Sequence, residues 1–151
     1  MAKYQDLDFN QNSGYWDLSI DSMGDFAKTD SFDTAILLSA IGSNRRASET
    51  EVPIAQYREG WIGDINQPVE YGSKLWLLFQ ERLTLQTMNA ARTYLDQAMQ
   101  WFLDYGYCTK VVTTVERNTT TNSLSAKVQL IRFQDEVSSK NFTLWENTGG
   151  T

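Results

Sequence analysis

The residue types in this 151-residue chain limit the chemistry it can perform. It has no histidine and one cysteine, Cys108, which excludes imidazole catalysis, a Ser-His-Asp triad, an internal disulfide and cysteine- or histidine-based metal sites. Carboxylates remain: Glu51, Glu59 and Asp64 share one irregular segment, where an acid and a base about 5–10 Å apart would suit glycoside hydrolysis. Since no spacing singles out a pair, we predict a solvated loop, no catalytic residue, no metal and no cofactor.

Composition and charge limit the kinds of partner that the chain is expected to bind. No apolar run approaches the roughly 18 residues of a membrane span, and no basic stretch leads into an apolar one at the N-terminus, so we expect neither a membrane partner nor a secretory signal. The net charge is −6, and the basic residues are scattered, which disfavours a nucleic-acid partner. Residues 1–35 hold seven acids against two lysines, so this quarter of the chain is expected to face a basic partner surface.

The apolar pattern predicts three helices. Residues 32–41 are apolar on nearly every side, which predicts a buried helix with Asp30 as its cap. A short buried helix is predicted over 72–79, and a longer one over about 84–105, ended by Gly106. The long helix places one apolar stripe toward the core, made of Met88, Ala91, Leu95, Ala98, Met99 and Phe102.

Strands are predicted in the first and last thirds of the chain. Residues 16–21 alternate as in a half-buried strand, 111–130 form a β-hairpin, and 142–145 supply a third strand. These elements predict an α+β fold, with helices packed on one face of a small, mainly antiparallel sheet. We divide the chain into an N-terminal extension (1–13), a core domain (14–137) and a C-terminal strand and tail (138–151).

The irregular segment 43–70 contains both prolines, and loops of this length are usually functional. Arg45 and Arg46 follow a buried helix. They either interact with its C-terminal dipole, worth roughly 0.3–1 kcal/mol, or supply guanidinium groups to an interface. Trp61 has few apolar neighbours in sequence and is a candidate anchor for a partner. Three other aromatic residues have core-like spacing and are predicted to be structural: Trp76, Phe79 and Trp101.

The last predicted strand is a second candidate interface. If Phe142, Thr143, Leu144 and Trp145 lie at a sheet edge, their unpaired backbone groups favour addition of a strand from another chain. Trp145 is also a candidate anchor, because it too has few apolar neighbours.

Five short segments form a specific set when taken in order along the chain. They are residues 34–39, 44–47, 52–53, 58–64 and 72–78. The set resembles the baseplate protein family of Mu-like contractile phages, which is related to the lysozyme-like baseplate wedge and tail sheath initiator proteins. The resemblance covers about residues 14–130, and its most specific part is the pair formed by 60–64 and 72–78.

The resemblance implies a structural protein of the virion, assembled in the host cytoplasm, with the lysozyme-like wedge fold. Such proteins join the baseplate wedge around the tail tube and initiate polymerisation of the contractile sheath, whose subunits exchange terminal strands. The implied partners are the tail sheath protein and the wedge and hub or tube proteins, with about six copies around the tail axis.

Recurring positions of that family also fall on specific residues here. They are Arg45, Arg46, Trp61, Gly63, Asp64, Gly72, Leu75 and Trp76. Asp64 thereby joins the predicted interface residues. Some wedge relatives carry Glu-Pro-Arg after the long helix and use it in wedge contacts. This chain has Asp-Tyr-Gly-Tyr at 104–107, so those contacts are not implied.

Two alternatives stay open at this point. One is a carboxylate-dependent hydrolase of cell-wall glycan carried by a tail, with Glu51, Glu59 or Asp64 meeting in a cleft. The other is an assembly adaptor or chaperone that leaves before the particle is finished.

Overall fold

Two small strand pairs precede the helices in the computed structural model, which describes residues 6–12, 15–29, 31–79 and 81–146. Strand β1 (Asp6–Leu7) pairs with β4 (Lys28–Thr29), and β2 (Phe9–Asn12) pairs with β3 (Tyr15–Leu18), both antiparallel. The predicted strand at 16–21 is therefore shorter than expected, since regular pairing stops at residue 18. An isolated bridge between Ile20 and Phe26 closes the turn that follows it.

Helix α2 (Leu85–Asp104) forms the centre of the core, as its apolar stripe predicts. The side-chain oxygen of Thr84 accepts a hydrogen bond from the Thr87 backbone N–H at 3.2 Å and caps the helix. The helix ends before Gly106, whose φ of +74° is the left-handed conformation expected there. The predicted stripe is confirmed: Ala91, Leu95, Ala98, Met99 and Phe102 are buried, and Met88 packs against them.

Helix α1 (Asp33–Leu37) continues as a π-helical turn, Leu38–Gly42, so the predicted helix at 32–41 is present but not regular throughout. Within it, the Ser39 hydroxyl donates to the carbonyl oxygen of Ala35 at 2.7 Å. Asp30, the predicted cap, lies outside the described residues. The short helix predicted over 72–79 is a 3₁₀ turn, Leu75–Leu78.

The main sheet is antiparallel, in the order β5–β6–β7. Strands β5 (Lys110–Asn118) and β6 (Ser123–Arg132) form the predicted hairpin. Asn118 fixes its turn, because its side-chain oxygen accepts from the backbone N–H groups of Thr120 and Thr121. The helices pack on one face of this sheet, which confirms the α+β prediction. None of the helices in the described part of the chain has the length and apolar character to cross a membrane.

Strand β7 (Asp135–Glu146) is much longer than the predicted strand at 142–145 and pairs with β6 from end to end. The boundary predicted at 137/138 therefore falls inside a strand. Phe142 and Leu144 are buried members of the core. Residues 138–146 are thus part of the domain rather than a separable extension. At the other end, Phe9 lies in the predicted extension but also packs against the core.

Of the three aromatic residues predicted to be structural, two have structural hydrogen bonds. Trp76 donates its indole N–H to the Arg45 carbonyl oxygen at 2.9 Å, and Trp101 donates to the Ser39 hydroxyl at 2.9 Å. Phe79 is not a core residue as predicted, because it lies just beyond the 3₁₀ turn and is 47 % exposed. A helix of several turns would have kept residue 79 on the buried face, and the single 3₁₀ turn does not.

Candidate functional site

The long segment 43–70 is clamped where its two ends meet. Asn44 and Ser73 form an isolated parallel bridge, with Arg45 N–H donating to the Ser73 carbonyl oxygen and Ser73 N–H to the Ser43 carbonyl oxygen. Gly72 lies beside this bridge at φ +87°, and a Cβ there would be 2.4 Å from the Ser43 carbonyl oxygen. Glycine is therefore required at this position, and the bridge positions the rest of the segment.

Arg45 ties the segment to the core and is not an exposed interface residue. Its side chain is only 9 % exposed. Its Nη2 atom donates to the Glu70 carbonyl oxygen at 2.6 Å and approaches the Gln97 carbonyl oxygen on α2 at 3.5 Å. Burial lowers the pKa of Arg45, while the nearby carboxylates of Glu70 and Asp64 oppose that shift. The structure thus gives Arg45 a positioning role.

Arg46, the next residue, is exposed and forms hydrogen bonds with the backbone of the same segment. Its Nη1 donates to the Glu59 carbonyl oxygen at 3.2 Å and its Nη2 to that of Ala55 at 3.5 Å. Its stem lies against Gly60, where an added Cβ would be 3.2 Å from the Arg46 Cβ. Unlike Arg45, this guanidinium is accessible to another protein.

Trp61 lies on the surface in a fixed orientation. Its side chain is 48 % exposed, and its ring centroid is 5.7 Å from that of Tyr71. A Cβ at Gly63 would come within 2.2 Å of the indole, so the ring lies directly over that glycine. Asp64 accepts from the Tyr71 N–H at 3.0 Å through Oδ1. Its Oδ2 is buried and has no hydrogen-bond partner among the residues the structure describes.

We call the exposed apolar side chains of this segment the loop patch. They are Ile54, Tyr57, Trp61, Ile62, Ile65 and Val69. Trp61 lines two clefts, of about 290 and 480 Å³. Clustered exposed apolar side chains of this kind mark protein interaction surfaces more often than chance exposure does.

Sequence reasoning missed two residues of the smaller cleft, Tyr71 and Tyr105. Tyr105 follows the end of α2 and lies one helical turn from Trp101, and the two ring centroids are 6.5 Å apart. That spacing of four residues was the available sign, because side chains four apart on a helix share a face. Tyr71 carried no such sign, since only the fold of the irregular segment brings it to Trp61.

The second predicted interface lies on β7, at one edge of the main sheet. β7 pairs with β6 on one side, and within the described part of the chain no strand pairs with its other side. Phe142 and Leu144 point into the core, and Thr143 is half-buried. The backbone of Trp145 pairs with Leu124, but its side chain lies outside the described part. What β7 offers a partner is thus a backbone edge, not the Phe142 and Leu144 side chains.

Glu51, one of the three carboxylates considered for glycoside hydrolysis, is held in its ionised form. Lys74 Nζ lies 2.8 Å from Glu51 Oε2, and Ser48 donates to the same oxygen through its N–H and its hydroxyl. These contacts, with the Lys74 hydrogen bond the largest cause, lower the pKa of Glu51 from 4.5 to about 2. A carboxyl group with this pKa does not serve as a general acid near neutral pH.

The described residues also contain no cluster of metal ligands. Among the described residues, no group of three or more Asp, Glu or Cys side chains is placed to hold an ion.

The Glu51 contacts predict a pH-dependent difference in stability. Because the pKa is lower in the folded chain, the stabilisation is present above about pH 4.5 and is lost as pH falls toward 2. Since the Glu51 side chain is 27 % exposed and its ion pair with Lys74 lies at the surface, we expect Glu51→Gln to lower the free energy of unfolding by no more than about 1 kcal/mol at pH 7. Urea denaturation should show this difference falling by more than half by about pH 3. An equal difference at both pH values would contradict the assigned contacts.

The central part of the chain is similar to known proteins. The model of the family described as phage protein GP46 matches residues 32–137. The chain belongs to the GP46 family. It is 31 % identical over 102 residues to "Baseplate protein gp46" of Escherichia phage Mu, covering 67 % of this chain and 70 % of that protein. It is also 32 % identical over 83 residues to "Mu-like prophage FluMu protein gp46" of Haemophilus influenzae, covering 54 % of this chain and 55 % of that protein. These matches confirm the resemblance to the Mu-like baseplate protein family.

The part of the chain matched by the GP46 family contains the loop patch, α2 and the β5–β6 hairpin. The strand pairs β1–β4 and β2–β3 precede it, and most of β7 follows it. The two candidate surfaces therefore differ: the loop patch lies within the match, and most of the β7 edge lies beyond it.

Proposed function

We propose that this protein is a structural component of the tail baseplate of a Mu-like contractile phage, located in the virion. The observation that carries the proposal is the alignment with the Mu protein named as a baseplate protein, which spans about two thirds of both chains. The loop patch supports it independently, because a subunit of a larger assembly needs apolar surface to bury against its neighbours. Of the three carboxylates of the hydrolase alternative, Glu51 is held ionised and is thereby removed as a general acid, whereas Glu59 and Asp64 both line the larger cleft beside Trp61.

Within the baseplate, we propose that the loop patch joins this subunit to the wedge and to the hub or tube proteins. The clamp formed by Arg45, Gly72 and Ser73 holds the segment in one conformation, so little ordering entropy opposes association. Trp61 is the proposed central anchor, because large aromatic side chains dominate interface energies. Arg46 would lie at the edge of this contact as an exposed guanidinium. We also propose that the domain has the lysozyme-like wedge fold that the family resemblance implies.

We also propose that the protein initiates polymerisation of the tail sheath by strand addition at β7. The twelve-residue strand has an outer edge with no partner strand in the described part of the chain, which suits backbone pairing with an extended segment. Because Phe142 and Leu144 anchor β7 in the core, the edge is rigid before the partner arrives. A sheath strand would continue the sheet in the order β5–β6–β7–sheath.

Quantitative mass spectrometry of purified tails tests the proposed location. We expect about six copies of the chain per tail, as one ring around the tail axis requires. The major tube protein in the same sample provides the internal standard. Absence of the chain from finished tails would contradict the proposal and favour the alternative, an assembly adaptor that leaves early.

A further inference from the structure

The cleft of about 290 Å³ beside Trp61 is lined by four aromatic rings in a continuous row. Successive ring centroids are 5.7 Å apart for Trp61 and Tyr71, 6.1 Å for Tyr71 and Trp101, and 6.5 Å for Trp101 and Tyr105. Gln67, Pro68 and Val69 complete the wall. We call this site the aromatic cleft.

The two inner rings are held by contacts with one side chain, that of Ser39. Its hydroxyl donates to the Ala35 carbonyl oxygen, accepts from Trp101 Nε1 at 2.9 Å and lies 3.2 Å from the Tyr71 hydroxyl. The outer rings remain open to a partner, with Trp61 48 % exposed and Tyr105 63 % exposed. The aromatic cleft therefore presents preformed ring faces.

The charge around the aromatic cleft favours a cation. Asp64 is the only charged side chain among the described residues that line it. Arg45 lies near Asp64 and Glu70, and Asp64 Oδ2 is buried with no hydrogen-bond partner among the described residues. Glu70 and Arg46 line the other cleft beside Trp61 and do not line this one. Aromatic faces, above all Trp and Tyr, attract ammonium and guanidinium groups, and the attraction grows when water is excluded.

We propose that the aromatic cleft receives an arginine or lysine side chain projected by a neighbouring protein of the assembly. The aliphatic stem of that side chain lies against Pro68 and Val69, and its charged head lies over the exposed ring faces. Asp64 balances its charge. The identity of the donor as a baseplate neighbour rests on the proposed function, whereas the preference for a cation depends only on this chain.

A titration of the full-length chain with two matched probes tests the preference. N-acetyl-arginine amide carries the cation, and N-acetyl-citrulline amide is its neutral counterpart of nearly the same shape. Binding is followed by NMR through the indole N–H of Trp61. We expect the arginine probe to bind about three- to thirtyfold more tightly than the citrulline probe.

Substitutions locate the binding. Tyr105→Leu should reduce the affinity for the arginine probe to that for citrulline. Tyr57→Leu is the matched control, because Tyr57 is a similarly exposed tyrosine of the loop patch that does not line the aromatic cleft. Asp64→Asn keeps an oxygen to accept from Tyr71 N–H, so it should weaken binding of arginine and leave citrulline unchanged.

Three outcomes would overturn the proposal. Equal affinity for the two probes would mean an apolar site without charge preference. No shift of the Trp61 indole would mean no site, and equal losses in Tyr57→Leu and Tyr105→Leu would place binding elsewhere. Each of these results is compatible with the presence of the chain in finished tails, so the cation preference and the baseplate location fail separately.

Discussion

Replacing Arg45 with methionine is expected to lower the free energy of unfolding by about 2–4 kcal/mol, because the hydrogen bonds that this buried guanidinium donates to the Glu70 and Gln97 carbonyl groups are lost. Methionine fills similar space but leaves the Glu70 carbonyl oxygen without its donor and the nearby carboxylates without a counter-charge. Thermal and urea unfolding measure the effect. For a chain of this length the melting temperature should fall by about 5–15 °C.

The neighbouring residue is the matched control for this prediction. Arg46→Met removes a guanidinium from an exposed side chain, so it should cost less than about 0.5 kcal/mol in stability. If the two substitutions had equal effects on stability, the assignment of Arg45 to the fold and of Arg46 to the surface would be wrong.

The second large effect is expected in β7. Phe142→Ala should lower the free energy of unfolding by about 3–5 kcal/mol, because a buried phenyl ring is removed from the core and a cavity replaces it. Urea unfolding followed by far-UV circular dichroism provides the measurement. The slope with denaturant should stay close to that of the unmodified chain if folding remains two-state.

Asn141→Ala is the control, since Asn141 is the exposed neighbour on the same strand. It should change stability by less than about 0.5 kcal/mol. A small effect of Phe142→Ala would mean that β7 is only loosely attached to the domain. The expected large effect also means that deleting residues 139–151 would damage the core, so strand addition has to be tested on the full chain.

Periodicity predicted those parts of the fold in which side-chain burial repeats regularly. The stripe from Met88 to Phe102 and the alternating strands of the β5–β6 hairpin have such repeats, and both were found as expected. The full length of β7 was not predicted, because residues 138–141 read Ser-Ser-Lys-Asn and show no alternation of apolar and polar types. There Ser138 is buried and donates to Asp33 Oδ1, a long-range contact that local sequence does not encode.

The contacts of the candidate site were likewise not predictable from local sequence. Arg45 and Arg46 are identical in type and adjacent in sequence, yet one is buried and the other exposed. Their difference depends on where the Glu70 and Gln97 carbonyl groups lie, and these come together only when the long segment packs against α2. The exposure of Trp61 was anticipated from its few apolar neighbours. The row of rings around it required the tertiary structure.

Hydrogen exchange of β7 shows whether this subunit offers its sheet edge to the sheath. The full-length chain is compared alone and with the tail sheath protein of the same phage, by mass spectrometry of peptides that cover β7. Strand β5, at the opposite edge of the sheet, is the internal control. We expect slower exchange in β7 with sheath protein present and no change in β5, because new backbone hydrogen bonds form only at the β7 edge. Unchanged exchange in β7 while sheath protein is bound would contradict strand addition at β7.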